Sequence, residues 1–261
     1  MTSPLESVLK RDRLVVMAAL ASITLFAWGY MIYEARAMYH TGVCSCVGMK
    51  MSGPDASAWS AATLPPLFLM WSEMMVAMML PSAAPMILTF AAVNRQRREQ
   101  ERPFVSAGIF TLGYLAAWTG FSVLAALAQW ILHGKALLSP MMVNNSPVLG
   151  GTLLILAGIF QWTPLKNVCL THCRSPFGFL LMDWREGKWG ALMMGMKHGA
   201  YCIGCCWLVM TLLFVAGVMN LWWIAIIAVL VLLEKVVPRG MWVGRAAGVL
   251  LAVWGVWMIL R

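Results

Sequence analysis

The stretch WGALMMGMKHGAYCIGCCWLVMTLLFVA, residues 189–216, runs 28 residues with Lys197 as its one Lys, Arg, Asp or Glu. A bilayer crossing needs about 20 predominantly apolar residues, so this segment predicts a transmembrane helix. Working outward, comparable apolar stretches fall at about 14–32, 66–92, 104–132, 147–165, 221–233 and 242–260. The expected fold is all-α: a polytopic transmembrane bundle of about seven helices, forming one integral membrane domain over residues 1–261. The stretch at 221–233 is short and must borrow from Met219 and from Val236 and Val237, whereas 104–132 is long enough to tilt.

Composition supports this reading. The chain is 61% hydrophobic and 11% charged, and a soluble domain of its length would need more polar residues to cover its surface. The formal charge of +9 sits in short runs at the ends of apolar segments, which reads as membrane topology and not as a nucleic-acid footprint. With the N-terminus inside, the inner segments carry Lys10, Arg11 and Arg13; Arg95, Arg97, Arg98 and Arg102; Lys166, Arg174, Arg185 and Lys188; and Lys235, Arg239 and Arg245. The outer ones carry only Arg36, Lys50, Lys135 and Arg261. That alternation predicts a cytoplasmic N-terminus and an extracytoplasmic C-terminus. The first apolar stretch is long and lacks a convincing small-residue cleavage site, so it reads as a retained helix. Gly108, Gly113, Gly120 and Gly158 are expected to let helices approach closely. No nucleotide-binding loop and no hydrolase or transferase constellation is visible, so an enzyme is not the favoured reading.

Chemistry concentrates on sulfur. Met194, His198, Cys202, Cys205 and Cys206 fall within an arc of about 120° on the helix at 189–216, near its middle. Imidazole, thioether and thiols are soft ligands that suit copper or zinc, not magnesium or calcium. After the fourth stretch come Cys169, His172 and Cys173, spaced to share one helical face at the cytoplasmic side. An outer loop carries His40, Cys44, Cys46 and Met49. In the second stretch Met70, Met74 and Met78 form one stripe and Met75, Met79 and Met86 another, and at least one of these is core filling. Glu73 is an acid within a crossing, placed to offset a bound cation at about the depth of Cys205 and Cys206. Pro81 and Pro85 free backbone carbonyls nearby. Lys197 is expected to find a partner in the cytoplasmic half or to snorkel. Glu234, Lys235 and Arg239 read as a solvated, topology-setting loop.

The segments MWSEMMVAMMLPSAAPMIL from Met70, TPLKNVCLTHCRSPFGFLL from Thr163, HGAYCIGCCWLVM from His198 and GVMNLWWIA from Gly217 resemble a bacterial family described as predicted metal-binding integral membrane proteins. The resemblance implies a multi-pass protein of the bacterial cytoplasmic (inner) membrane. Joined to the ligand chemistry, it leads to binding of a soft transition metal, copper ahead of zinc, in transport, storage or delivery, with the lipid bilayer and a metal-donor or acceptor protein as partners. An ion would be captured by the outer loop, pass the methionines, rest on the fifth-helix cysteines and leave through Cys169 and Cys173. A transmembrane thiol-disulfide relay is the rival reading, through Cys202 with Cys206 and Cys169 with Cys173. A membrane assembly or scaffold protein is the third.

Overall fold

The structure is a computed structural model and describes residues 4–41, 43–44, 49–50, 61–99, 105–135 and 146–261. Among these residues it is helical apart from connections and one short antiparallel ladder, Val43–Cys44 (β1) with Met49–Lys50 (β2). The helices are α1 (Pro4–Thr41), α2 (Leu64–Glu99), α3 (Ala107–Gly134), α4 (Pro147–Phe160), α5 (Pro164–Arg174), α6 (Pro176–Asp183), α7 (Gly187–Thr211), α8 (Leu213–Ala216), α9 (Leu221–Val236) and α10 (Gly240–Leu260). Among the described residues five helices are long and apolar enough to cross a membrane, Arg13–Ala37, Leu64–Arg97, Ala107–Gly134, Gly187–Ala216 and Gly240–Leu260, and the bent pair α4–α5 is so when taken together.

The two remaining stretches expected to cross end early, for reasons written in the chain. α4 has 14 residues, about 21 Å at 1.5 Å per residue. Pro164 then starts a new helix, capped by the Thr163 hydroxyl accepting from Lys166 N–H at 3.3 Å. A residue before proline disfavours the helical region and proline has no N–H to extend the ladder. α4 and α5 accordingly bend by 64°. α9 has 16 residues, about 24 Å, capped by Asn220 at its start and stopping at Val236, two residues before Pro238.

Where α9 stops decides how the site is built. The Lys235 ammonium reaches Ser82 Oγ at 3.0 Å and Cys202 Sγ at 2.8 Å. Ser82 and Cys202 lie near the midpoints of the Leu64–Arg97 and Gly187–Ala216 spans, so α9 ends at about half their height. The expected solvated loop at Glu234 and Lys235 is therefore corrected. Both are buried and Arg239 alone of the three is exposed. Lys166, counted with the inner loops, is buried as well.

Close helix contacts rest on glycine. A Cβ on Gly113 of α3 would stand 2.1 Å from Leu192 O, and one on Gly195 of α7 2.0 Å from Phe110 O, so these two backbones touch where side chains would part them. Gly158 and Gly248 do the same for α4 and α10. Gly120 faces open space and a Cβ on Gly108 would meet only the Ser106 hydroxyl, so the close packing expected of those two does not occur. In α2, Pro81 offers no N–H to Ala77 O, and Trp28 of α1 donates to that carbonyl at 3.1 Å. Arg97, in the last turns of α2, pairs with Glu186 and lies 4.6 Å over the Trp184 ring, while Arg174 donates to the carbonyls of Val237 and Pro238 just past the end of α9. Arg97 of α2 and Arg174 of α5 each find partners this way.

Candidate metal centre

The face of α7 that carries sulfur points inward. Met194, His198, Cys202, Cys205 and Cys206 are all buried, as their shared arc requires. Within α7 the thiols of Cys205 and Cys206 donate to Cys202 O at 3.1 and 2.9 Å. Three other helices close over this face.

α5 contributes Cys173, which is buried against α7 in the neighbourhood of Cys202 and Cys205. Cys206 shares the buried face of α7 with Cys202 and Cys205, so four buried cysteines come from two neighbouring helices. Cys169, one turn earlier on α5, sits against Gly204. A Cβ there would be 2.9 Å from its Sγ, so the glycine makes room for the sulfur. α3 contributes Tyr114, whose hydroxyl donates to Met79 O at 3.1 Å and lies 3.1 Å from Cys202 Sγ. α9 contributes Lys235. The ring of His198 is enclosed by Phe110, Tyr114 and Phe179, with centroids 5.6–6.2 Å away, and its Nδ1 is buried without a hydrogen-bond partner.

Beside the thiols lies a buried ion pair. Lys166 Nζ donates to both Glu234 oxygens at 2.8 and 2.7 Å and also to Gln161 Oε1. Gly244 of α10 leaves space for the carboxylate, since a Cβ there would be 2.6 Å from Glu234 Oε1.

The cysteines at 169 and 173 and those of α7 were expected at separate depths. The structure brings them together, because the bend at Pro164 lays α5 against the middle of α7. His172 does not join them. Its ring stacks on Tyr201 at 4.4 Å and Nδ1 faces Val168 O at 2.9 Å. Both methionine stripes of α2 are buried: Met70, Met74 and Met78, and Met75, Met79 and Met86. Glu73 is half-buried with Oε1 unpartnered, and it senses the charge of Glu34 on α1. Lys197 meets Asp183 at 2.5 Å near the surface. In the outer cluster Cys44 and Met49 are ladder partners. Cys46 and the side chains of His40, Cys44 and Met49 lie outside the described residues.

A family described as PpoB2, copper chaperone, matches residues 68–258. The chain belongs to the PpoB2 copper chaperone family. No curated protein and no solved structure matches it. The PpoB2 match runs from α2 through α10 and so takes in every helix around the thiols.

Sulfur donors suit the copper that the PpoB2 description names. Among the described residues no three His, Cys, Asp or Glu side chains stand placed to hold an ion. The hydrogen bonds give the physical reason: Cys205 and Cys206 are turned onto the Cys202 carbonyl, and Cys202 Sγ is engaged by Lys235 and Tyr114. Rotation about two χ1 angles would release the thiols of Cys205 and Cys206.

Sequence reasoning missed Tyr114, Ser82, Lys235 and the group of Lys166, Glu234 and Gln161. One signal was available: Glu234 and Lys235 close an apolar run too short to cross, so a charge at its end need not be at a membrane surface.

Proposed function

We propose that this protein binds Cu(I) in a membrane-embedded helical bundle and hands it to a protein partner. Cys173, Cys202, Cys205 and Cys206 supply the sulfurs and His198 stands by as an imidazole donor. Copper is the cargo, favoured over zinc. The observation that carries this reading is the packing of α5 on the sulfur-bearing stretch of α7, where a Cβ on Gly204 would stand 2.9 Å from Cys169 Sγ and Cys173 is buried one turn further on, in a chain of a copper chaperone family. Thiols on two separate helices can release an ion by helix movement, whereas ligands on one helix cannot part. Cys169, half-buried one turn from Cys173, gives the ion its next sulfur toward the surface. Ligand exchange among thiolates moves Cu(I) without leaving it bare.

In this reading the protein is one domain of the bacterial cytoplasmic membrane, N-terminus inside and C-terminus outside. α9 and α10 form a hairpin that enters from the outer side, turns at mid-height and returns. Glu73 and the α2 methionines line an approach from outside, and His40, Cys44, Cys46 and Met49 would capture the ion there. His172, turned onto Tyr201, is left out of the resting site.

The test is copper analysis of protein purified without chelators. The wild type is expected to retain copper, and Cys173→Ser and Cys202→Ser to lose most of it. Equal copper in all three removes the site. Alkylation trapping in metal-free membranes separates the rival: thiols that cycle through disulfides without copper would make the protein a relay.

A further inference from the structure

Lys235 carries a charge to which no carboxylate is paired. Its hydrogen-bond partners are Ser82 Oγ and Cys202 Sγ. The carboxylate beside it in sequence, Glu234, has both oxygens on Lys166, so that pair sums to zero. An ammonium buried in a bundle interior is costly unless an anion belongs beside it. Around the Cys202 sulfur that it meets stand the Tyr114 hydroxyl, 3.1 Å from that sulfur, and the thiols of Cys205 and Cys206 on the Cys202 carbonyl.

We propose that Lys235 is the fixed counter-ion of the loaded site, and that it restricts the cargo to a monovalent soft ion held by two thiolates at a time, drawn from the four cysteines. The proposal rests on reading the thiol cluster as the copper site. On loading, two of the sulfurs form metal–sulfur bonds, and each gives up to bulk water the proton it still carries. A monovalent ion on two thiolates carries a net charge of −1, and the ammonium brings the site to zero. A divalent ion on the same two thiolates is neutral, and the ammonium leaves the site at +1 in a medium that solvates charge poorly. Neutrality for a divalent ion would need a third thiolate, and zinc prefers four donors in a tetrahedron. Here Cys205 and Cys206 are turned onto the Cys202 carbonyl. Cu(I) and its spectroscopically silent analogue Ag(I) are satisfied by fewer sulfurs. Lys235 thus acts on selectivity through charge without touching the ion.

The experiment is a competition of Ag(I) against Cd(II) for the purified full-length chain in lipid nanodiscs, with bound metals counted by mass spectrometry after dialysis. Wild type and Lys235→Arg, which keeps the charge, are expected to favour Ag(I). Lys235→Met is expected to lower that preference at least tenfold, since unit charges a few ångströms apart exceed that factor even at an effective dielectric of about 20. If Lys235→Met does not fold, Ser82→Asp makes the same test by placing a carboxylate against the ammonium, and it should lower the preference likewise. Unchanged selectivity in a folded neutralised variant overturns the role of Lys235 and leaves the copper site standing. A wild type that binds neither ion overturns both.

Discussion

Lys166 and Glu234, 68 residues apart in the chain, form an ion pair in which the side chains are 2% and 1% exposed, with Nζ 2.8 and 2.7 Å from the two carboxylate oxygens. The pair ties the first turn of α5 to the last turn of α9. It therefore fixes at once the helix that carries Cys169 and Cys173 and the helix that carries Lys235. Removing one partner leaves a buried charge alone, which costs about 3–5 kcal/mol, whereas replacing both with apolar groups of similar size is often near neutral. Glu234→Gln or Lys166→Met is expected to lower the unfolding midpoint markedly, and Lys166→Met with Glu234→Leu to recover much of it. Thermal unfolding in one detergent checks the order; a double variant weaker than both single ones would deny the pairing.

The α3–α7 contact gives a steric prediction. Gly195→Ala would set a methyl 2.0 Å from Phe110 O, and since that atom is backbone the helices must separate. Overpacking of this kind costs about 1–3 kcal/mol. Gly120→Ala, facing open space, should be neutral or slightly stabilising, because alanine is the better helix former. Comparing the two variants by thermal unfolding controls for the substitution itself.

These contacts also explain what the sequence could and could not disclose. Length and apolar character placed the spans around Trp28, Trp71 and Trp118, because crossing a bilayer is a property of one segment. The inward face of α7 was legible too, since His198, Cys202 and Cys206 recur at the spacing of a helical turn. The bend at Pro164 is not part of the apolar pattern, and it is what lays α5 and its cysteines against α7. Lys235 was misread because charge near the end of an apolar run usually marks a membrane surface. Here the run is too short to reach one, and the compensating groups, Ser82 and Cys202, are 153 and 33 residues away. Long-range pairing of that kind has no local signature.

Cys169 and His172 share a helix and should behave differently. Cys169 packs beside Gly204 near Cys205, whereas His172 is held on Tyr201. Cys169→Ser is expected to keep the copper content of the wild type while slowing its transfer to a soluble chelator about tenfold or more. His172→Ala should change neither. Stopped-flow transfer to a coloured Cu(I) chelator reads both, and equal rates for all three proteins would remove Cys169 from the exit path.

His198 supplies the most specific expectation, because its environment leaves one atom unexplained. The ring is packed among Phe110, Tyr114 and Phe179 with Nδ1 buried and unpartnered, and a buried polar atom without a partner costs about 1–3 kcal/mol. If the ring served packing alone, His198→Phe would remove that penalty, and the variant should be as stable as the wild type or more so. As a copper donor the imidazole would be missed on loading, so the same variant should bind Cu(I) more weakly while unfolding no earlier. X-ray absorption of the loaded proteins adds a structural readout: a nitrogen shell beside sulfur in the wild type, and sulfur alone in His198→Phe. A stable variant with unchanged affinity and an unchanged absorption spectrum would make His198 a packing residue, and would confine the copper donors to the sulfurs of α5 and α7.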